Sequence, residues 1–204
     1  ESIRGLGATV HVGGAVYADA LAASKQFLAE NDALAVHAYN HHDVIAGQGT
    51  LGLEWEAQSP DLDTILVAVG GGGLIGGICA WYAGRVKVIA VESQTTNTLY
   101  AARKAGAVTK VAVSGLAADS LGASQIGDLT FDITQAYLHD SILVTDEAIR
   151  VAQQQLWADY RIAAEPGGAA ALAAILSGVY QPQPSERVGV LVCGGNVDLS
   201  TLVE

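Results

Sequence analysis

Apolar residues along this chain fall in short uninterrupted runs separated by glycine clusters and by stretches with helical spacing. The runs TILVAVG (64–70), VKVIAVE (86–92) and VGVLVC (188–193) are apolar almost throughout. Strands of that kind belong to a parallel sheet whose two faces are both covered by helices. The pattern predicts strands over 8–12, 34–38, 63–69, 86–91, 129–133, 141–144 and 187–192, and helices over 16–30, 44–58, 73–83, 97–105, 146–160 and 168–177. Asp146 and Glu147 suit the first turn of a helix, and Gly106 suits a C-cap. Strand and helix alternate, so the expected class is α/β: a mostly parallel twisted sheet flanked by helices, joined by right-handed crossovers. The polar cluster Asn40-His41-His42-Asp43 interrupts this alternation, and a domain boundary is expected there, giving segments 1–40 and 41–204. No repeat of 20 to 50 residues is visible.

Composition narrows the function. The 204 residues are 50% hydrophobic, enough for a sizeable core, and acids outnumber bases 21 to 10 for a net charge of −11. Such a balance argues against nucleic acid or an acidic membrane surface as partner, because both need clustered Lys and Arg. No apolar run approaches the roughly 18 to 20 residues that span a bilayer. Cys79 and Cys193 stand far apart and outside any CxxC, so neither a disulfide framework nor a thiolate zinc site is expected, and the expected compartment is a reducing cytoplasm. There is no Met, and the chain opens at Glu1 on what reads as the end of a helix, so a piece is expected to precede it.

Four loops carry candidate chemistry. Gly70-Gly71-Gly72-Gly73-Leu74 follows an apolar strand and opens a helix. Bare backbone there allows N–H groups to converge, and the helix start adds partial positive charge, so the loop is a phosphate cradle that needs no Lys or Arg. The bland alternative is a tight turn with close helix–sheet packing. Gly71, Gly73 and Gly76 also satisfy G-x-G-x-x-G, with Glu92 ending the next strand where an acid would bind ribose hydroxyls. Cys193-Gly194-Gly195-Asn196 follows the strand VGVLVC and, by the rule that ligands bind at carboxyl ends of strands, borders the same crevice. Glu165-Pro166-Gly167-Gly168 reads as a helix entry. Gly47 and Gly49 lie inside a helical pattern at a cost of about 1 kcal/mol each, which points to a close backbone approach.

Together VIAGQGTLGLE, VGGGGLIGG, the VE ending the next strand, EPGGAAALAAI and CGGNVDLS resemble the fold type II pyridoxal-phosphate enzymes. The nearest branch is the serine/threonine dehydratases and serine racemases, and the resemblance runs from Ala8 to the last residues. It implies a tryptophan synthase β-like fold, with 1–40 a remainder of the small substrate-side domain and 41–204 the large cofactor-binding domain. It further implies that Gly70, Gly71, Gly72, Gly73 and Leu74 bind the phosphate of pyridoxal 5'-phosphate through their amides. Cys193, with Gly194 beside it, would face the pyridine nitrogen where many relatives have Ser; a neutral partner there leaves the nitrogen largely unprotonated and favours β-elimination. Glu165 matches an acid near the ring. The loop SGLAADSLGA (114–123) matches one close to cofactor and substrate, with Ser120 at a position commonly Gly.

The departures are as informative. The family's Schiff-base Lys, the Asn for the cofactor's 3-hydroxyl and the Ser-Gly-Asn loop for the substrate carboxylate precede the matching region. None of Lys25, Lys87, Lys104 and Lys110 sits in a matching motif, so no catalytic residue is assigned in this chain and the Lys is expected upstream of Glu1. Around Asp119 one carboxylate remains of the metal ligands of some relatives, and His41-His42-Asp43 lacks a third ligand at useful spacing, so no metal is expected. His11, His37 and His139 read as ordinary strand or loop residues, and no G-x-S-x-G elbow appears. The expected function is an L-threonine/L-serine dehydratase, releasing a 2-oxo acid and ammonia, of which this chain is a carboxy-terminal portion inactive alone. Its expected partners are a small amino-acid substrate, the missing amino-terminal segment or a second chain, and a second copy in a homodimer. The alternatives are a serine racemase-like isomerase, a noncatalytic remnant, and a nicotinamide-dependent oxidoreductase resting on Glu92 and the glycine pattern.

Overall fold

A computed structural model describes residues 2–14 and 17–202. Val16, the expected first residue of the helix over 16–30, lies outside the described residues. The chain divides into two compact units, Glu1–Val36 and His37–Glu204.

The first unit holds a short helix α1 (Ser2–Gly5) and a longer one, α2 (Tyr17–Glu30). The strands expected over 8–12 and 34–38 are not formed; both stretches are irregular. A strand needs a neighbour to accept its ladder bonds, and among the described residues neither stretch pairs with one. Their apolar side chains stand in the open, Val12 at 85% and Leu34 at 88% exposure.

In the second unit the order is α3 (His42–Gln58), β1 (Thr64–Ala68), α4 (Gly73–Tyr82), β2 (Lys87–Ser93), α5 (Thr98–Ala105), α6 (Asp128–Tyr137), β3 (Asp140–Val144), α7 (Asp146–Tyr160), α8 (Pro166–Leu176) and β4 (Val188–Val190), closed by a 3-10 turn at Leu199–Leu202. The four strands form one sheet in the order β3-β2-β1-β4. Every pairing is parallel, with Thr64 opposite Lys87 and Val188, and Ile89 opposite Asp140. Strand alternation divides the core in two. Leu66, Ala68, Ile89 and Val91 pack with Ile149, Ala152 and Leu156 of α7 and the alanines of α8. Ile65, Val67, Val88 and Ala90 pack with Ile75, Ile78 and Tyr82 of α4, and with Leu99 of α5 and Phe131 of α6. Burial on both faces is the reason these strands read as apolar almost throughout.

One expected strand is a helix. Residues 129–133 (LTFDI) alternate with a period of two, yet they lie in α6. The residues α6 buries are Thr130, Phe131 and Thr134, a helical spacing. The start of α6 is held from a distance, since Asn40 Oδ1 accepts the Leu129 N–H at 3.2 Å. Gly49 supplies the close approach expected of the glycines in α3, and its neighbour is another helix. A Cβ at Gly49 would lie 3.1 Å from the Gly77 carbonyl oxygen of α4, and one at Gly77 would lie 2.5 Å from the Ile45 carbonyl oxygen. Gly47 meets nothing within 4 Å.

Candidate functional site

The glycine loop leaves β1 at its carboxyl end and turns into α4. Gly72 is the N-cap at φ 95, a left-handed conformation that glycine tolerates without strain. The first intrahelical bond runs from the Gly76 N–H to the Gly72 carbonyl, at 2.9 Å. The amides of Gly73, Leu74 and Ile75 therefore have no intrahelical acceptor, which is what makes a helix start attractive to an anion. Side chains are excluded here by contact. A Cβ at Gly71 would collide with the Tyr39 ring, one at Gly72 would lie 2.5 Å from Ile126 Cδ1, and one at Gly73 would lie 3.1 Å from Tyr39 Cα.

A crevice of about 300 Å³ opens over this loop. Its lining brings together Gly70, Gly71, Gly72, Gly73, Leu74, Ser120, Glu165 and Cys193 with Tyr39, Gln48 and Leu121. Gly194 is not in that lining. Its carbonyl accepts the Glu165 N–H at 3.1 Å, and a Cβ on it would collide with the Glu165 carboxylate. Glu165 is the N-cap of α8, with Pro166 entering the first turn. Gly168 allows that turn to slide beneath the Cys193 carbonyl, where a Cβ would not fit. Burial pushes the Cys193 thiol above its ordinary pKa, and the Glu165 carboxylate adds to the rise. Cys193 is therefore a neutral thiol at neutral pH. Ser120 is tied to the same helix start, its Oγ accepting the Gly167 N–H at 2.8 Å. Its loop is anchored to α7, where Asp146 Oδ2 accepts the Leu116 N–H at 2.8 Å.

Other candidates lie elsewhere. Glu92 is fully buried and is not in the lining of this crevice. Its carboxylate accepts the Leu99 and Tyr100 N–H groups at 2.8 and 2.7 Å, closing the amino end of α5, with Thr98 Oγ1 and Ser141 Oγ each at 3.3 Å. A residue so enclosed cannot reach a ribose, so the acid on which the dinucleotide reading rests is a helix cap. The four lysines are all exposed, and none lines the crevice. His37 Nδ1 accepts the Tyr39 and Asn40 N–H groups at 3.2 and 3.0 Å, and His41 Nδ1 accepts the Asp43 N–H at 3.3 Å as the N-cap of α3. Among the described residues no group of three or more His, Cys, Asp or Glu is placed to hold a metal ion. Among the described residues no helix is long and apolar enough to cross a membrane.

Tyr39 and Gln48 were not singled out by their sequence. For Tyr39 a signal existed: a run of glycines at a helix start leaves room for an aromatic ring to lie against backbone. Gln48 lies between Gly47 and Gly49 inside the motif VIAGQGTLGLE, where the glycines point to a close approach and nothing marks the amide itself.

The arrangement, a parallel sheet with a glycine loop and a Cys-Gly-Gly loop at its carboxyl edge, is that of a known class of enzyme. Residues 1–194 match the family described as pyridoxal-phosphate dependent enzyme, and the chain belongs to it. Its cofactor is pyridoxal phosphate. The chain is 35% identical over 206 residues to the biosynthetic L-threonine dehydratase of Haemophilus influenzae, covering 99% of this chain and 40% of that protein. It is 34% identical to the serine racemase of Dictyostelium discoideum, covering 99% of this chain and 64% of that one. Among solved structures, maize serine racemase superposes with a TM-score of 0.91 at 33% identity, covering 98% of this chain and 64% of that chain. The processed form of threonine deaminase isoform 2 from Solanum lycopersicum gives 0.90 at 27% identity, covering 98% and 60%. This chain thus spans between 40% and 64% of the length of these relatives.

Proposed function

We propose that this chain is the cofactor-binding portion of a pyridoxal-phosphate-dependent lyase that eliminates water from L-threonine or L-serine, yielding a 2-oxo acid and ammonia. The observation that carries the reading is the convergence of Gly70–Leu74, Glu165, Cys193 and Ser120 on one crevice. The residues fit the cofactor's phosphate: the cradle is bare backbone, which a Cβ at Gly71, Gly72 or Gly73 would obstruct. The amides of Gly73 and Leu74 face no competing intrahelical acceptor. At about 300 Å³ the crevice is at the small end of ligand sites.

Bound pyridoxal phosphate supplies the electron sink that acidifies the substrate's α-proton and allows a β-substituent to leave. The chain's own residues bind and tune. Gly70 to Leu74 hold the phosphate through amides. Cys193, kept as a neutral thiol by burial and by Glu165, presents an uncharged partner to the ring nitrogen, which favours elimination over reprotonation. Ser120 restricts the substrate side, its hydroxyl locked to the start of α8. The lysine that carries the cofactor and serves as base belongs to a segment outside these 204 residues; the crevice has no lysine in its lining, which supports that division. On this reading 1–40 belongs to the substrate-side domain and 41–204 to the cofactor domain. On the same reading the intact enzyme is a homodimer in a reducing cytoplasm.

Serine racemases among the relatives make isomerisation the second reading. One assay separates the possibilities: the purified 204-residue chain with pyridoxal phosphate, and the product of the complete gene, each given L-threonine and L-serine. The expected result is 2-oxo acid from the complete product alone. D-Serine without 2-oxo acid would establish the racemase. Turnover by the 204-residue chain that disappears on replacing Lys25, Lys87, Lys104 or Lys110 would overturn the assignment of the base.

A further inference from the structure

Three consecutive carbonyls of the glycine loop are each taken by a donor from the surrounding scaffold. Thr98 Oγ1, at the first residue of α5, donates to the Gly70 carbonyl at 2.6 Å. The Gly127 N–H, at the N-cap of α6, donates to the Gly71 carbonyl at 3.0 Å. Thr130 Oγ1, in the first turn of α6, donates to the Gly72 carbonyl at 3.1 Å. Both threonines have no exposed surface.

A trans peptide plane carries its carbonyl and the next residue's N–H on opposite sides. Holding the carbonyls of Gly70, Gly71 and Gly72 toward α5 and α6 therefore turns the N–H groups of Gly71, Gly72 and Gly73 the other way. At Gly72 the carbonyl is also held by the first bond of α4, from the Gly76 N–H at 2.9 Å, with Thr130 as a second anchor. At Gly70 and Gly71 nothing in the glycines themselves enforces the direction, because glycine crosses readily between positive and negative φ and its peptide planes flip at little cost. We propose that Thr98 and Thr130 are positioning residues that pre-orient the glycine-loop amides for a phosphate monoester. The inference rests on the reading of Gly70–Leu74 as a phosphate cradle. It adds that the cradle's direction is imposed by two buried hydroxyls far away in sequence.

The test uses the 204-residue chain and its variants T98V and T130V, which exchange hydroxyl for methyl at equal bulk, with T98S and T130S restoring the hydroxyl. The probes are pyridoxine 5'-phosphate and pyridoxine, which lack the aldehyde and so do not react with exposed lysines; inorganic phosphate is added to the ¹⁵N-labelled chain to follow the amides of Gly71, Gly72 and Gly73. Each Val variant should bind pyridoxine 5'-phosphate about tenfold more weakly, the equivalent of one lost hydrogen bond. Pyridoxine binding should be unchanged, the Ser variants should recover most of the loss, and the three amide shifts with phosphate should shrink in the Val variants alone. A wild-type chain that binds pyridoxine 5'-phosphate no better than pyridoxine, and whose amides ignore phosphate, would overturn the cradle reading itself. A wild-type chain that discriminates, with Val variants that discriminate equally well, would overturn the role of the threonines and leave the cradle standing. Loss of both ligands together in the Val variants, unrelieved by Ser, would mark a collapsed crevice and equally overturn it.

Discussion

Replacing Glu92 by Gln should change how stability depends on pH. The carboxyl is fully buried beneath the amino end of α5. Burial raises its pKa from the ordinary 4.5 to about 7, against the opposing pull of hydrogen bonds from the Leu99 and Tyr100 amides and of the nearby Thr98 and Ser141 hydroxyls, the Thr98 proton being directed to the nearer Gly70 carbonyl. The fold thus prefers the protonated acid. For an acid whose pKa is raised by folding, stability is greatest below the unfolded pKa and declines as pH rises through the folded one. The decline from this group runs from about pH 4.5 to about pH 7 and totals about 3 kcal/mol. Gln keeps the shape and never ionises, but its amide nitrogen displaces one of the two backbone donors, at a pH-independent cost of about 1–3 kcal/mol. E92Q should therefore be less stable than wild type near pH 5 and should regain about 3 kcal/mol relative to it near pH 8. Denaturant unfolding followed by tryptophan fluorescence at both pH values measures the difference, and Trp55 and Trp81 pack against the core. A stability gap between the two proteins that stays constant with pH would refute the argument. Glu92 would then be ionised in the fold at all these pH values, and its burial would carry no titration.

Three further outcomes are expected. G71V and G72V should each abolish retention of pyridoxine 5'-phosphate, since the added side chains meet Tyr39 or Ile126 and Thr130; unchanged retention by equilibrium dialysis would contradict the cradle. G77A should destabilise the fold by about 1–3 kcal/mol in urea unfolding, because its Cβ meets backbone of α3 that has no flexible end to yield; a neutral effect would mean the two helices separate freely. A thiol reagent should modify Cys193 well before Cys79, which is fully buried and whose pKa is pushed up to about 12; peptide mass spectrometry after timed labelling reads the order, and equal rates would refute it.

Residue pattern alone determined the class of fold and most of the crevice, because those signals are local. Strands covered on both faces are apolar at nearly every position, and TILVAVG and VKVIAVE are, apart from Thr64, Lys87 and Glu92. A loop whose backbone touches a neighbour must lack side chains there, so Gly70–Gly73 and Gly194 stand out. The placement of Gly106 as a left-handed C-cap followed from glycine's freedom at positive φ. Tertiary structure decided what depended on partners distant along the chain. LTFDI alternates like a strand, and it became α6 because Thr130 and Phe131 bury against α4 and the glycine loop instead of joining the sheet. Residues 8–12 look like a strand and form none where no neighbour pairs with them. Glu92 occupied the position of a ribose-binding acid, and only the arrival of α5 over its carboxylate made it a buried cap. The hydroxyls of Thr98 and Thr130 carry no motif, because the direction of a hydrogen bond is set by where its acceptor lies in space, and their acceptors lie 28 and 58 residues away.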